Sequence, residues 1–426
     1  MTASDLADVW RREAPHVLAA LLRKYGDLGD CEEALQDAAE AATTQWPQDG
    51  LPDNPRAWLI TVAARRLIDQ ARSETSRVRR ERLDAARHHQ DVDGPLAYDR
   101  DDTLRLFFLC CHPALTRPSQ VALSLRSVGG LSVEQIAAAY LVPARTMTQR
   151  LTRARALLRQ AGATFDMPSD NDLPDRVSAV LDVGHLIFTE GYARTSGEHL
   201  QDVRLTEEAI RLVRQLHDAL PEHAEVAGAL ALMLLTQARS AARTDEAGDL
   251  IPLAGQDRTR WRRDLITEGV SLLEKTLPRG HIGRFQLQAA IAAVHAEATT
   301  YAETDWLQIS LLYDMLTRVA PSPAVTLNHA VAVAMAHSPE AALAMLKPLS
   351  DDPAMSRHHR LYAVRAHLLE LKGDPGAARE QYRMAARLTA SGPEQRYLNA
   401  KLSSFVSAPA TTSAPPAGIP GTPDQR

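Results

Sequence analysis

The sequence predicts an all-α protein: two small helical domains, the second a helix-turn-helix, followed by a large helical domain. Three observations carry this. Through most of the 426 residues, apolar side chains recur at spacings of three and four, the period of a helix with one buried face. Alternating β-branched runs, the mark of half-buried strands, are nearly absent. Proline and glycine fall mostly at segment ends, where they stop helices.

The elements follow in order. Residues 1–75 form the first block, punctuated at Gly26 to Gly29 and from Trp46-Pro47 through Asn54-Pro55. Residues 76–102 read as a linker: Arg77, Arg79, Arg80, Glu81 and Arg82 precede a stretch from Asp91 to Asp102 with little to bury. Residues 103–165 form the second block. After a polar break at Pro168 to Pro174, residues 174–405 form the large helical domain. Residues 406–426, rich in Pro, Ala, Ser and Thr, bury too little apolar surface to order themselves, so a disordered tail is expected. Late in the large domain, Tyr362, Ala366, Leu369, Gly373, Ala378, Tyr382 and Ala385 fit the two-helix tetratricopeptide template, and Ala330, Val333, Ala342 and Leu346 hold comparable places about 36 residues earlier. An ordinary helical hairpin explains the same pattern.

Charge is divided unevenly along a chain of net charge −5: residues 1–55 hold eleven acids against four bases, whereas 103–160 hold eight arginines against the single acid Glu134. An acidic front thus precedes a basic module suited to phosphate. From 161 to 426 acids again exceed bases, 32 to 26, which argues against nucleic acid as the partner of that half. No apolar run is long enough to span a bilayer, and three cysteines, Cys31, Cys110 and Cys111, are too few for a disulfide framework or a four-ligand zinc site. A cytoplasmic protein without disulfides is expected.

Within the basic module, Ser132-Val133-Glu134-Gln135 reads as a capping box that starts a helix bearing Ile136, Ala137 and Tyr140. Leu141-Val142-Pro143-Ala144 breaks it. In the next helix Met147, Leu151, Ala154 and Leu158 share one stripe, while Arg145, Thr148, Gln149, Thr152, Arg153 and Arg159 take the opposite face. Five arginines and no acid between 145 and 159 suit a recognition helix, in which arginine neutralises phosphate and forks onto guanine. The plain alternative is a solvated basic helix in a bundle.

Leu131-Ser132-Val133-Glu134-Gln135-Ile136-Ala137, followed by Thr146-Met147-Thr148-Gln149-Arg150-Leu151-Thr152-Arg153-Ala154-Arg155, resembles sigma region 4 of the extracytoplasmic-function sigma factors. The resemblance implies that residues 103–165 read the minus-35 promoter element, with Arg145, Thr146, Thr148, Gln149, Arg150 and Arg153 as the DNA-binding residues. Glu32-Glu33-Ala34-Leu35-Gln36-Asp37 is similar to the family's acidic helix that docks on the polymerase clamp, which implies polymerase binding by Glu32, Glu33, Gln36 and Asp37. Asn54-Pro55-Arg56-Ala57-Trp58-Leu59-Ile60 with Ala63 to Asp69 resembles the helix that melts and reads the minus-10 element, so residues 1–75 correspond to sigma region 2, with Trp58, Arg65, Arg66 and Arg72 toward DNA. Ala64 stands where the family usually has arginine, which bears on strand melting. For the indole alone, Trp58 reads better as a core residue against Leu59 and Val62.

Residues 174–405 resemble the tetratricopeptide-like extension of one subgroup of these factors, through Phe188-Thr189-Glu190-Gly191-Tyr192, Gln256-Asp257-Arg258, Gln286-Leu287-Gln288-Ala289-Ala290 and Thr304-Asp305-Trp306. There the extension takes the regulatory place of a separate anti-sigma partner. The implied partners are core RNA polymerase, promoter DNA and a regulatory protein or peptide on the extension, with no membrane, cofactor or metal. A helix-turn-helix regulator with a helical sensor domain is the alternative, and it leaves the N-terminal block unexplained. No catalytic motif is present, so no enzyme is expected. Glu190, Asp257, Arg258, His295 and Asp305 suggest a hydrolase pocket only by residue type, and helix caps or buried ion pairs explain them better. Cys110-Cys111-His112 is likewise more ordinary as buried core than as a metal or redox site.

Overall fold

The computed structural model describes residues 3–81, 102–140, 142–280, 282–353 and 355–407. Residues 82–101, most of the expected linker, and 408–426, nearly all of the expected tail, lie outside the described residues. What is described is helical apart from 3-10 turns, loops and two two-residue strands.

Three helices form the N-terminal bundle: α1 (Ala3–Tyr25), α2 (Leu28–Asp49) and α3 (Pro55–Glu81). Asp27 starts α2 by accepting a hydrogen bond from the Asp30 amide at 3.0 Å, an N-cap that satisfies a free donor of the first turn. Helical spacing puts Cys31, Ala34, Leu35, Ala38, Ala42 and Trp46 on the buried face of α2, against Leu18, Leu21 and Leu22 of α1 and Leu59, Ile60 and Ala63 of α3. The second block is α4 (Thr103–Cys110), α5 (Arg117–Ser127), α6 (Val133–Ala139) and α7 (Ala144–Gln160), the last two forming the helix-turn-helix.

The remainder is a row of helical hairpins. α8 (Leu173–Tyr192) packs on α9 (Val203–Ala219), α10 (Ala224–Gln237) on α11 (Arg263–Thr276), and α12 (Arg284–Glu297) on α13 (Trp306–Val319). α14 (Pro323–Ala336) packs on α15 (Pro339–Met345), the short α16 (Lys347–Asp351) follows, α17 (His359–Lys372) packs on α18 (Pro375–Leu388), and α19 (Gly392–Ser407) closes the row. Ala366, Ala378, Tyr382 and Ala385 are buried together, as a tetratricopeptide unit and an ordinary helical hairpin both require, and Gly373, at φ 83°, takes the left-handed conformation that ends α17. Close approach also explains Gly228 in α10, where an added Cβ would stand 2.7 Å from the Gln286 amide nitrogen of α12. The two ends of the row meet. β1 (Ser196–Gly197), just after α8, pairs in parallel with β2 (Ala390–Ser391), just before α19.

One continuous apolar core runs from Val9 to Ala296, shared by the N-terminal bundle, the helix-turn-helix block and the first hairpins of the extension. Three smaller cores serve the later hairpins.

Candidate nucleic-acid and polymerase interface

The capping box forms reciprocally: the Ser132 amide donates to Gln135 Oε1 at 2.8 Å and the Gln135 amide to Ser132 Oγ at 3.2 Å. This fixes the start of α6. Met147, Leu151, Ala154 and Leu158 are buried against the block's interior. Arg145, Thr146, Thr148, Gln149 and Arg153 are exposed, and Arg150 is half-buried. Thr148 donates its hydroxyl to the Ala144 carbonyl at 3.1 Å, leaving its oxygen free to accept from a ligand. Burial pushes the Tyr140 hydroxyl up to about 12, with nearby Glu190 adding to the rise and Arg150 opposing it, so the tip of α6 sits between the recognition helix and the end of α8.

The two remaining arginines of α7 turn toward α2, Arg155 part-buried and Arg159 exposed. Arg155 donates through Nε to Glu32 Oε2 at 2.5 Å, and Ser127 donates to Glu32 Oε1 at 2.5 Å. Arg159 forks onto Asp27, Nε to Oδ2 at 2.7 Å and Nη2 to Oδ1 at 2.9 Å. The Arg159 hydrogen bond is the main cause holding the Asp27 carboxyl below its usual value. On α2, therefore, Glu32 is buried and engaged with α7, whereas Glu33 and Gln36 are exposed and Asp37 half-exposed. The sequence groups all four on one docking helix; the structure commits Glu32 to Ser127 and Arg155, while Glu33 and Gln36 stay exposed.

On α3, Arg65 and Arg66 are exposed, with Arg66 Nε 3.8 Å from Asp37. The side chain of Arg72 lies outside the described residues. Trp58 is half-buried edge-on against Trp46, centroids 5.3 Å apart, in keeping with the core reading of the indole. Ala64 is buried, so the site where the family usually has arginine faces the bundle here.

The extension grips the helix-turn-helix block through side chains that sequence reasoning did not single out. Arg176 of α8 donates to the Phe108 carbonyl at 2.5 Å, and Arg211 of α9 to the Val128 carbonyl at 2.9 Å. Asp182 of α8 bridges Arg117 of α5, at 2.6 Å, and Arg284 of α12. These partners lie 65 to 102 residues apart in sequence, beyond any local signal.

Several of the alternative candidates have structural surroundings of their own. Cys110 and Cys111 are buried, burial pushing the Cys111 thiol up to about 12, and no group of three metal-ligating side chains exists among the described residues. Asp257 caps a 3-10 turn at Arg258–Arg260, and Asp305 caps α13. No described helix is long and apolar enough to cross a membrane.

Comparison with known proteins agrees with this arrangement. Residues 9–77 match the family described as Sigma-70 region 2, residues 108–158 match Sigma-70, region 4, and residues 176–277 match a family of unknown function (DUF6596). An uncharacterised protein of Rhizobium meliloti (strain 1021) is 40% identical over 415 residues, covering 96% of this chain and 97% of its own length. A probable ECF RNA polymerase sigma factor, SigI, of Mycobacterium tuberculosis is 29% identical over 157 residues, 36% of this chain and 53% of that protein. No solved structure matches. A promoter-directed module pair of this kind defines a transcription initiation factor, a class that is not enzymatic. The chain belongs to the sigma-70 family, as an extracytoplasmic-function RNA polymerase sigma factor that carries a helical C-terminal extension.

Proposed function

We propose that Glu33, Gln36 and Asp37 dock this sigma factor on core polymerase, that α3 engages the minus-10 element through Arg65, Arg66 and Arg72, and that α7 reads the minus-35 element through Arg145, Thr146, Thr148, Gln149, Arg150 and Arg153. Initiation is controlled by the chain's own extension, in the cytoplasm, with a regulatory protein or peptide on its helical surface as the signal. The observation that carries the control reading is the shared core: helices α8 and α9 complete the packing of α4 and α5, and Asp182 ties Arg117 to Arg284. An extension built into the recognition module is a folding partner rather than a detachable plug.

The test compares the whole chain with residues 1–165 at equal soluble concentration, on one supercoiled promoter with core polymerase. Truncation exposes apolar surface of α4 and α5, so the short protein should transcribe poorly or not at all. Circular dichroism and its unfolding profile report whether the short protein is folded. Equal activity of the two proteins would remove the extension from initiation control.

A further inference from the structure

Inside the extension, Arg239, Arg243 and Arg258 crowd around two aromatic rings. The Arg243 guanidinium lies 3.7 Å from the Tyr192 ring centroid, and those of Arg258 and Arg239 lie 4.8 and 5.9 Å from that of Trp261. Arg239 also donates to the Tyr192 hydroxyl at 3.1 Å. Arg243 and Arg258 are 8% and 6% exposed, and Arg239 is half-buried. Burial of three cations so close together is costly unless anionic charge meets them.

Part of that charge comes from helix ends. Arg243 donates to the Tyr192 carbonyl at the end of α8, and Arg258 to the His295 and Ala298 carbonyls at the end of α12, at 2.6 and 2.5 Å. Each helix C-terminus carries roughly half a negative charge, so two of them offset only part of three full cations. Among the described residues no carboxylate forms an ion pair with any of the three arginines. Glu303 attracts Arg258 and Glu394 attracts Arg243, but neither is within ion-pair reach: Glu303 accepts from Thr299 and the Thr300 amide, and Glu394 accepts from Thr389 with His359 Nε2 2.9 Å away. A fourth cation, Arg360, adds to the repulsion felt by Arg243. Trp261 Nε1 and His295 Nδ1 are buried with no hydrogen-bond partner in the same cluster. His295 is held neutral, its ring driven down to about 4 by burial first and then by Arg239 and Arg258.

We infer that Arg239, Arg243 and Arg258, with Trp261 and His295, form a binding site for an oxyanion, a phosphate or carboxylate group, inside the extension. Guanidiniums suit such groups because their planar donors meet two oxygens at once. Arg239 is the solvent-facing member and receives the ligand. The site lies where α8, α10 and α12 end, beside the last helices of the row, so an occupied site draws the first and last hairpins together. It stands on its own geometry and does not require that the extension control transcription.

The test uses the full-length protein and two probes, inorganic pyrophosphate and succinate, each against sodium chloride at matched ionic strength. Calorimetric titration should detect saturable binding of one or both; pyrophosphate alone marks a phosphate site and succinate alone a carboxylate site. Arg239→Gln should weaken binding by about tenfold or more, the loss of one charge-assisted contact. Arg279→Gln, at an exposed pair with Glu222, should bind as the wild type does. Hydrogen exchange on the wild type gives a reading independent of any variant: the bound probe should protect amides around 239–243 and 258–261. Absence of saturable binding by both probes, unchanged affinity in Arg239→Gln, or protection confined to other segments would overturn the site.

Discussion

Replacing Glu32 by glutamine should loosen the recognition module from the N-terminal bundle. The Glu32 side chain is 5% exposed and accepts from Ser127 and Arg155, and Arg155 is 22% exposed. Glutamine keeps the shape, removes the charge and leaves the guanidinium under-partnered. A hydrogen bond to a charged group contributes about 1.5–3 kcal/mol. Removing one partner of a fully buried pair costs about 3–5 kcal/mol. Because Arg155 retains some solvent, about 2 kcal/mol is the expected loss, or roughly 4–8 °C of melting temperature for a cooperative unit of 150–250 residues. The second pair serves as an internal control. Arg159 is 62% exposed, so Asp27→Asn should cost at most about 1 kcal/mol. The Asp27 carboxyl is depressed in the folded state, so its contribution is complete above pH about 4 and is lost as pH falls through the folded value. This pair therefore gives no stability change between pH 7 and 5. Promoter geometry adds a functional arm. Elements centred about 25 base pairs apart lie about 85 Å apart along the duplex, so if α3 and α7 read them as proposed above, the contact between α2 and α7 is expected to open first. Glu32→Gln should raise promoter occupancy by holoenzyme while lowering the melting temperature of the free protein. Scanning calorimetry and footprinting on the same preparation check both. If melting were unchanged, or if Asp27→Asn destabilised more than Glu32→Gln, the assignment of Glu32 as the buried tie would be refuted.

Three further outcomes are expected. Glu33→Lys with Asp37→Lys should weaken association with core polymerase, most at low salt where exposed charges are least screened; an unchanged pull-down would place the docking surface elsewhere. Alanine at Arg145, Arg150 and Arg153 should cost about 1–3 kcal/mol of sequence discrimination for each bidentate base contact and lower the salt dependence of binding by about one unit per lost phosphate contact, so unaltered footprints and salt slopes would exclude α7 as the reader. Gly228→Ala should destabilise the extension by about 1–3 kcal/mol, because its Cβ meets the backbone of α12 at Gln286 as well as that residue's side chain, and a melting temperature equal to the wild type would show that α10 and α12 are less closely packed than described.

What the sequence made legible is local. The capping box at Ser132 and Gln135, the buried stripe from Met147 to Leu158 and the αL stop at Gly373 each depend on residues within one or two helical turns, and each stands where its pattern predicts. The same holds for Asp257 and Asp305, whose polar character serves caps. The ties of Glu32 to Ser127 and Arg155 are invisible in the sequence, because those partners lie 95 and 123 residues away. Arg258 and His295 stand out in the sequence only by residue type and Arg239 and Arg243 not at all, since nothing in one dimension shows that three guanidiniums converge.

The parallel pairing of β1 with β2, reinforced by Arg396 reaching Glu198 and Asp249, has a consequence for how such a protein can change over generations. An open solenoid grows or shrinks by copying or losing a unit, because each unit touches only its neighbours and the ends are free. Here the last helix is stitched to the loop after the first. A duplicated hairpin would push those partners out of register, and a lost one would leave them unable to meet. The number of units is thus held by the seam, and variation among related extensions should accumulate in loops and side chains while the unit number stays constant.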